Sequence, residues 1–494
     1  MSMHIVQNAL YESDGFASAV GFRGIMLLDS VNRHFRAHST LHLFRKHGMF
    51  LRNKSFEVDH QSFMGLLIIP NEAQAAYDEL ERALYLAIQH LKVDYVRVLL
   101  EGVYEAERNK DIKRPFLAET VNVMGELRVS YRSWLFLAIT HSMDTQKAAE
   151  ILSLLLGVSK DHGSLNYVLL FQPDHTLNGS NCMHICAENG ELEYVKVLLL
   201  NAREAGLLKD LLQSCNNSLE SVLYCAIKNE HYEVALELIE AARSVKMLPD
   251  LLLMNTSTRE SCLSEAVLSG NADILRLLIQ AARSEGVLDQ LLMTKGVNSN
   301  NCLHLAIYKY TPHVFTELLE AAQEGNGGVL QKLLLEPCTT GRTCLYDAVA
   351  SLNTEAVQAL LNAASGVSAS VSGSPDTPPI SELLCQAPYP DCPFGGMSCV
   401  HYIVTCISEL EEMDSRFHES VFDILELLLD ASANNDVLTR LLFMKSQTRQ
   451  ASCLIDIALS ENKRLVERVL HHAKRLQSPD TYIYAWRTCC RSEH

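Results

Sequence analysis

Cys385, Cys392, Cys399 and Cys406 recur at intervals of seven, and thiolates are the ligands a soft metal ion prefers. Zinc sites pair their cysteines about two to four residues apart, and Cys399 also belongs to a second pattern set out below. Burial is therefore the expectation for these thiols, and no metal ligand is assigned. His401 stands two positions from Cys399. A nucleophilic Cys–His pair also needs thiolate stabilisation, which spacing alone does not supply. Between Asp29 and Glu57 there is no acid, but there are Arg33, His34, Arg36, His38, His42, Arg45, Lys46, His47, Arg52 and Lys54. A solvated cap face is expected there. The sharper reading is a docking patch for an acidic protein, a phosphate or an anionic lipid, contacted through Arg33, Arg36, Arg45 and Lys46. Gly-rich Glu324–Gly328 reads as an inter-helix loop, and vicinal Cys489 and Cys490 could be acylated or oxidised. His494 ends the chain past any prenylation signal. Phosphate-binding glycine loops, a serine-hydrolase elbow and HExxH are absent from the sequence. No catalytic residue, cofactor or metal is expected.

The bulk numbers exclude whole classes. The chain has 494 residues, 48% hydrophobic and 20% charged, with 42 basic against 59 acidic side chains, a balance of −17. Phosphate recognition needs concentrated Lys and Arg, so a general nucleic-acid binder is excluded. The abundance of Leu, Ile and Val excludes wholesale disorder. The longest apolar run, Phe63–Pro70, is far shorter than the ~20 residues that span a bilayer. The first residues lack the basic and apolar regions of a Sec signal peptide. Length alone would give about three domains. The 15 cysteines are lopsided, none preceding Cys182.

Self-alignment accounts for both. SNCMHICA at Ser180, ESVLYCAI at Glu220, ESCLSEAV at Glu260 and NNCLHLAI at Asn300 lie 40 residues apart. RTCLYDAV at Arg342, MSCVHYIV at Met397 and ASCLIDIA at Ala451 continue the series, and weaker copies start at Arg82 and Ser133. In each copy an apolar opener (Leu84, Leu135, Met183, Leu223, Leu263, Leu303, Leu345, Val400, Leu454) is followed three positions later by a small or apolar residue. In seven of the nine copies a second apolar cluster with helical spacing begins twelve residues after the opener. After Leu135 and Val400 it comes late, as insertions between the two helices would produce. A short helix pair with one apolar face must stack on its neighbours, so the expected fold is an all-α solenoid of helical repeats.

Asn181–Leu200, NCMHICAENGELEYVKVLLL, resembles the ankyrin-repeat pattern T-P-L-H-x-A, then a glycine turn, then V-x-x-L-L. The resemblance places Gly190 in the turn between the two helices. It makes His184, His304 and His401 the motif histidine, which in that family hydrogen-bonds backbone between repeats. Tyr85, Tyr224, Ser264, Tyr346 and Ile455 depart from it, which predicts weaker repeats there. Ser221, Ser261, Asn301, Thr343, Ser398 and Ser452 are expected N-caps. Cys182, Cys262, Cys302, Cys344, Cys399 and Cys453 stand where the family has proline and are expected to be small, buried and reduced.

The copies run longer than the family's usual 33 residues. After the second helix comes a recurrent Leu-rich element, Leu207–Leu212, Met247–Leu252, Val287–Leu292, Val329–Leu334 and Val437–Leu442, expected to form an extra helical turn beneath the outer helix. Repeats of this length are similar to those of ankyrin effectors of intracellular bacteria, the Legionella type. The expected organisation is a non-repeat cap over 1–78, an array over 79–476 with irregular insertions near 101–132, 157–178, 365–396 and 407–420, and a tail over 477–494. Ser365–Pro379 is expected to be a flexible loop.

The expected function is a non-catalytic protein-interaction scaffold, a monomer, binding through a concave face and loop tips. Arg259, Arg342, Arg449, Asn217 and Asn300 are the tip residues expected to touch a partner. The resemblance implies a secreted effector with a host partner, a cytosolic fold delivered by a non-Sec route. Two alternatives stand beside it: an enzyme with its site in 1–78 or 365–396, and a peripheral membrane adaptor using 33–54.

Overall fold

The computed structural model describes residues 84, 87–97, 99–100, 134–140, 144–161, 165–170, 177–324, 328–370, 379–392, 395–408, 415–435, 437–446, 452–460 and 462–473. The expected boundaries at 78 and 476, the insertion at 101–132, Arg33, Arg36, Arg45, Lys46, Arg449, Cys489 and Cys490 all lie outside these residues. The chain divides into two bodies, Met1–Met247 and Leu248–His494.

In the first body, residues 87–89 and 93–97 are helical. They are followed by α1 (Trp134–Thr140), α2 (Thr145–Asp161), α3 (Leu165–Leu170), α4 (Cys182–Asn189), α5 (Leu192–Glu204), α6 (Leu208–Gln213), α7 (Val222–Lys228) and α8 (Tyr232–Ser244). The helices stack in three files. The first helices α1, α4 and α7 pack on one another, as do the second helices α2, α5 and α8, while α3 meets α6.

The second body holds α9 (Leu248–Leu252), α10 (Cys262–Ser269), α11 (Ala272–Ser284), α12 (Leu288–Leu292), α13 (Cys302–Tyr308), α14 (Pro312–Glu324), α15 (Gly328–Leu335), α16 (Cys344–Ala350), α17 (Thr354–Ser370), α18 (Pro379–Cys385), α19 (Cys399–Ser408), α20 (Ser415–Asn434), α21 (Leu438–Phe443), α22 (Cys453–Leu459) and α23 (Lys463–Ala473). First helices run α10, α13, α16, α19, α22 in unbroken contact, and second helices pair as α11 with α14 and as α17, α20, α23. Among the described residues, extended structure is confined to three isolated bridges, Cys215 with Ser221, Asn255 with Ser261 and Lys445 with Ser452.

The sequence dictates the first helices locally. Asn181, Ser221, Ser261, Asn301 and Thr343 each sit in extended backbone and accept the N–H three residues on, capping the helix that begins at the next residue. Ser452 occupies the same position but makes no side-chain cap bond, so that expectation fails for the last first helix. The second helices are amphipathic, and α5 buries Tyr194, Val195, Leu198, Leu199 and Ala202 on one stripe.

The Leu-rich elements form short helices of their own, with Leu208, Leu211 and Leu212 buried in α6, Leu288, Leu291 and Leu292 in α12, and Leu333 and Leu334 in α15. This third file is what lengthens the repeat. It also replaces part of the expected flexible loop. Residues 365–370 complete α17, and Pro379, pre-set for a helical first turn, opens α18, whose Ile380, Leu383 and Leu384 are buried. Likewise the late cluster at Leu425 reflects a lengthened second helix, the 20-residue α20, after the 10-residue α19.

Candidate functional site

Four of the loops that precede first helices share one repeating set of backbone bonds. Four loops are closed at the base by N–H to carbonyl bonds, Asn216 to Glu220 (3.1 Å), Thr256 to Glu260 (2.9 Å), Gly296 to Asn300 (2.9 Å) and Cys338 to Arg342 (2.9 Å). At the tip, four residues before the opener, the chain is left-handed in six repeats: Gly179, Leu219, Arg259, Ser299, Gly341 and Gly396. Left-handed backbone is cheap for glycine and costs an L-residue about 1–2 kcal/mol. Leu219 and Arg259 are both exposed in this conformation.

Within each body neighbouring tips are tied together. Asn217 N–H donates to the Asn178 carbonyl at 2.8 Å, and Asn178 Nδ2 donates to Ser218 Oγ at 2.8 Å. Thr339 N–H donates to the Asn298 carbonyl at 2.9 Å, and Tyr389 N–H to the Thr340 carbonyl at 3.0 Å. A Cβ on Gly341 would fall 2.6 Å from the Tyr389 backbone nitrogen, so the small residue is required where these two tips meet. The tips are thus ordered, although each is a turn on the surface.

The motif histidines carry the frame inward. His184 is fully buried, and its Nε2–H donates to the Glu220 carbonyl at 3.1 Å, the same oxygen that closes the next loop. His304 does the same to the Arg342 carbonyl at 3.1 Å. His401 holds Ser398 Oγ at 2.7 Å through Nδ1. Burial pulls the His184 pKa down to about 4, against the raising effects of the Glu220 carbonyl and carboxylate. Burial also lowers His304, opposed by the Arg342 carbonyl and Asp347.

Ser264, in the histidine's place, completes the capping box with Ser261, its Oγ accepting the Ser261 N–H at 2.7 Å. Its side chain is too short to reach another loop. Tyr224 and Tyr346 are buried in the corresponding positions. The expected weakness of these repeats is therefore not visible as lost burial. Gly190 ends α4 in a left-handed cap, and a Cβ there would strike the His231 ring at 2.5 Å. That ring caps the turn by bonding the Glu188 carbonyl at 3.0 Å.

The expected contact residues fall into different environments. Arg259 and Asn217 are exposed on tips, while Asn300 is half-buried and its carbonyl closes its own loop. Arg342 is held within its repeat, its Nε bonding Thr340 Oγ1 at 3.1 Å and lying 3.2 Å from Asp347 Oδ1. Exposed apolar side chains that sequence reasoning did not single out join the tips: Leu219, Val297 and Tyr389. Leu219 and Val297 lie in turns whose register the repeat alignment already places as tips, Asn216–Leu219 and Val297–Asn300, but register does not say which side chain of a turn projects.

The opening cysteines are all buried, each the first residue of a first helix. Burial pushes Cys182, Cys302 and Cys399 up to about 12, so Cys399 has no thiolate to offer His401. Cys385, Cys392, Cys399 and Cys406 do not come together as a three-ligand metal group. No helix among the described residues is long and apolar enough to cross a membrane.

Comparison with known proteins agrees with the geometry. Residues 135–247 and 263–371 match the family model of ankyrin repeats, in three copies. The ankyrin repeat domain of Bcl-3, described as a unique member of the IkappaB protein family, is 18% identical, with 60% of this chain and 99% of that one covered and a TM-score of 0.41. An ankyrin repeat protein from Leishmania major is 16% identical over 72% of this chain and 99% of its own, with a TM-score of 0.35. No curated protein matches the chain. Residues 135–247 and 263–371 are therefore ankyrin repeats, and the fold they belong to is all-α.

Proposed function

We propose that the chain is a non-catalytic protein-binding scaffold whose contact surfaces are the loop tips of each body. The observation that carries this reading is the exposure of Leu219 and Arg259 on strained, left-handed tip positions of an otherwise regular frame. Backbone strain persists where the surroundings enforce it and tends to gather at functional sites. An apolar side chain held out in water on such a turn gains nothing for the fold. Rigid tips also lose little entropy on binding, which favours affinity per contact. Val297 and Tyr389 extend the apolar component, and Asn217 supplies polar contacts beside Leu219.

The test is affinity capture with the full chain carrying Leu219→Asp, Arg259→Glu and Val297→Asp, each also measured for thermal stability. Partner loss at unchanged melting temperature is the expected result. Retention of every partner by all three variants would remove the tips from the reading. The basic tract with Arg33, Arg36, Arg45 and Lys46, and Arg449, are proposed as accessory contacts on charge alone. A secreted effector acting on a host protein is supported by the extended length of the repeats and by nothing in the site. Translocation of the full chain into host cells, assayed with a reporter fusion, tests that part separately.

A further inference from the structure

The last two second helices bring four ionisable side chains together away from the tips. Glu426 and Asp430 lie one turn apart on α20, and Arg468 and His472 one turn apart on α23, so each pair shares one helix face. Arg468 Nη1 donates to Glu426 Oε1. His472 Nε2 lies 2.6 Å from Glu426 Oε2, and His472 Nδ1 lies 3.6 Å from Asp430 Oδ1. The imidazole is only 4% exposed, whereas Asp430 is 51% exposed.

Nε2 is engaged by Glu426, which leaves Nδ1 as the ring nitrogen open to a further partner. Among the described residues that buried nitrogen has no hydrogen-bond partner. It points at a carboxylate oxygen too far away for a hydrogen bond. A histidine nitrogen and two carboxylate oxygens from Glu426, Asp430 and His472 all lie within 4.8 Å of one another, a donor set suited to a divalent cation. Two ligands of a tetrahedral ion at bond lengths of about 2.0–2.1 Å lie roughly 3.3 Å apart, close to the gap observed. A carboxylate behind the ligating ring is the usual device for orienting such a histidine. Arg468 holds Glu426 in that role. Glu426 also lines a groove with Glu355 and Asp423, whose charge raises the local concentration of cations.

We propose that His472 Nδ1 and Asp430 bind a borderline-soft divalent cation of the zinc class, with water completing the shell and Glu426 acting as a positioning residue on Nε2. The chain's other histidines and cysteines will also take up some zinc, so the site is read as a difference. Metal-free full-length protein is titrated with Zn2+ against a chromophoric chelator, and with Co2+ by visible absorption. His472→Gln retains a donor for Glu426 and removes the Nδ1 ligand. The expected result is one equivalent fewer than the wild type, with loss of the corresponding Co2+ bands. Glu426→Gln should keep the equivalent but weaken it about 10–100-fold. Zn2+ should raise the melting temperature of the wild type more than that of His472→Gln. Identical stoichiometry, affinity and Co2+ spectra for wild type and His472→Gln would overturn the proposal. Should His472→Gln fail to fold, Asp430→Asn at the half-exposed position gives the same decision.

Discussion

His184 links its own helix cap to the next loop while carrying no charge. Its folded pKa of about 4 lies below the usual value of 6.5 for the unfolded chain. Between those values the unfolded state binds more protons, so stability rises with pH across the window and is lost as pH falls from about 6.5 towards 4. A shift of this size corresponds to roughly 3 kcal/mol at full protonation. Urea midpoints at pH 7 and pH 5 should show this loss in the wild type and a smaller one in His184→Gln. An equal loss in both would assign the acid sensitivity elsewhere. The turn between the two helices makes a second residue-scale demand. Seven positions after the opener the backbone is left-handed at Leu91, Gly190, Glu230, Gly270 and Leu352. Only two of these are glycine. Relief of the left-handed penalty exceeds the added entropy of an unfolded glycine, so Glu230→Gly should stabilise the chain by roughly 0.5–1 kcal/mol. Gly190→Ala should do the reverse and more, because its Cβ also meets His231. Paired thermal melts of the two variants check both signs.

The short third helices are the element that separates these repeats from the 33-residue pattern. Each presents two or three leucines to the core, and Leu291 of α12 is completely buried. If the third file is integral to the repeat, Leu291→Ala leaves a cavity and costs about 2–5 kcal/mol. A cost below about 0.5 kcal/mol, the range of surface substitutions, would mean that α12 is a detachable decoration. The same file explains why the insertion around 365–396 is more ordered than its composition implies. Ser, Gly and Pro dominate its middle, but Ile380, Leu383 and Leu384 repeat the leucine signature and form α18. The opening cysteines fit at this scale as well. At the first helical position a small apolar side chain can be buried against the preceding short helix, as Cys302 Sγ is at 3.5 Å from the Leu292 carbonyl.

Charge acts on the whole molecule. The exposed cross-repeat pairs, Arg97 with Glu150, Lys160 with Glu204 and Arg276 with Glu317, are solvent-screened and weak. A net charge of −17 opposes them through self-repulsion that salt screens over about 10 Å at 0.1 M. Raising NaCl from about 20 to about 300 mM should therefore raise the melting temperature. A fall would show that the ion pairs outweigh the repulsion.

The sequence by itself determined the repeat, its 40-residue period, the capped first helices and the burial of the opening cysteines, whereas Cys385, Cys392 and Cys406, also expected to be buried, are only partly so. Each follows from local chemistry, such as Asn181 as a cap or the apolar stripe of α5. Tertiary structure alone decided which residues reach outward. The left-handed backbone at Leu219, Arg259 and Glu230 is imposed by the loop bonds and by neighbouring repeats, and no side chain there announces it. Arg342, at a tip by its position, is tethered by Thr340 and Asp347 while 41% of its side chain stays exposed, a placement that only packing sets. The grouping of Glu426 and Asp430 with His472 joins residues more than 40 positions apart on two stacked helices. Helical spacing predicts a face for each of them, but only packing decides which faces meet.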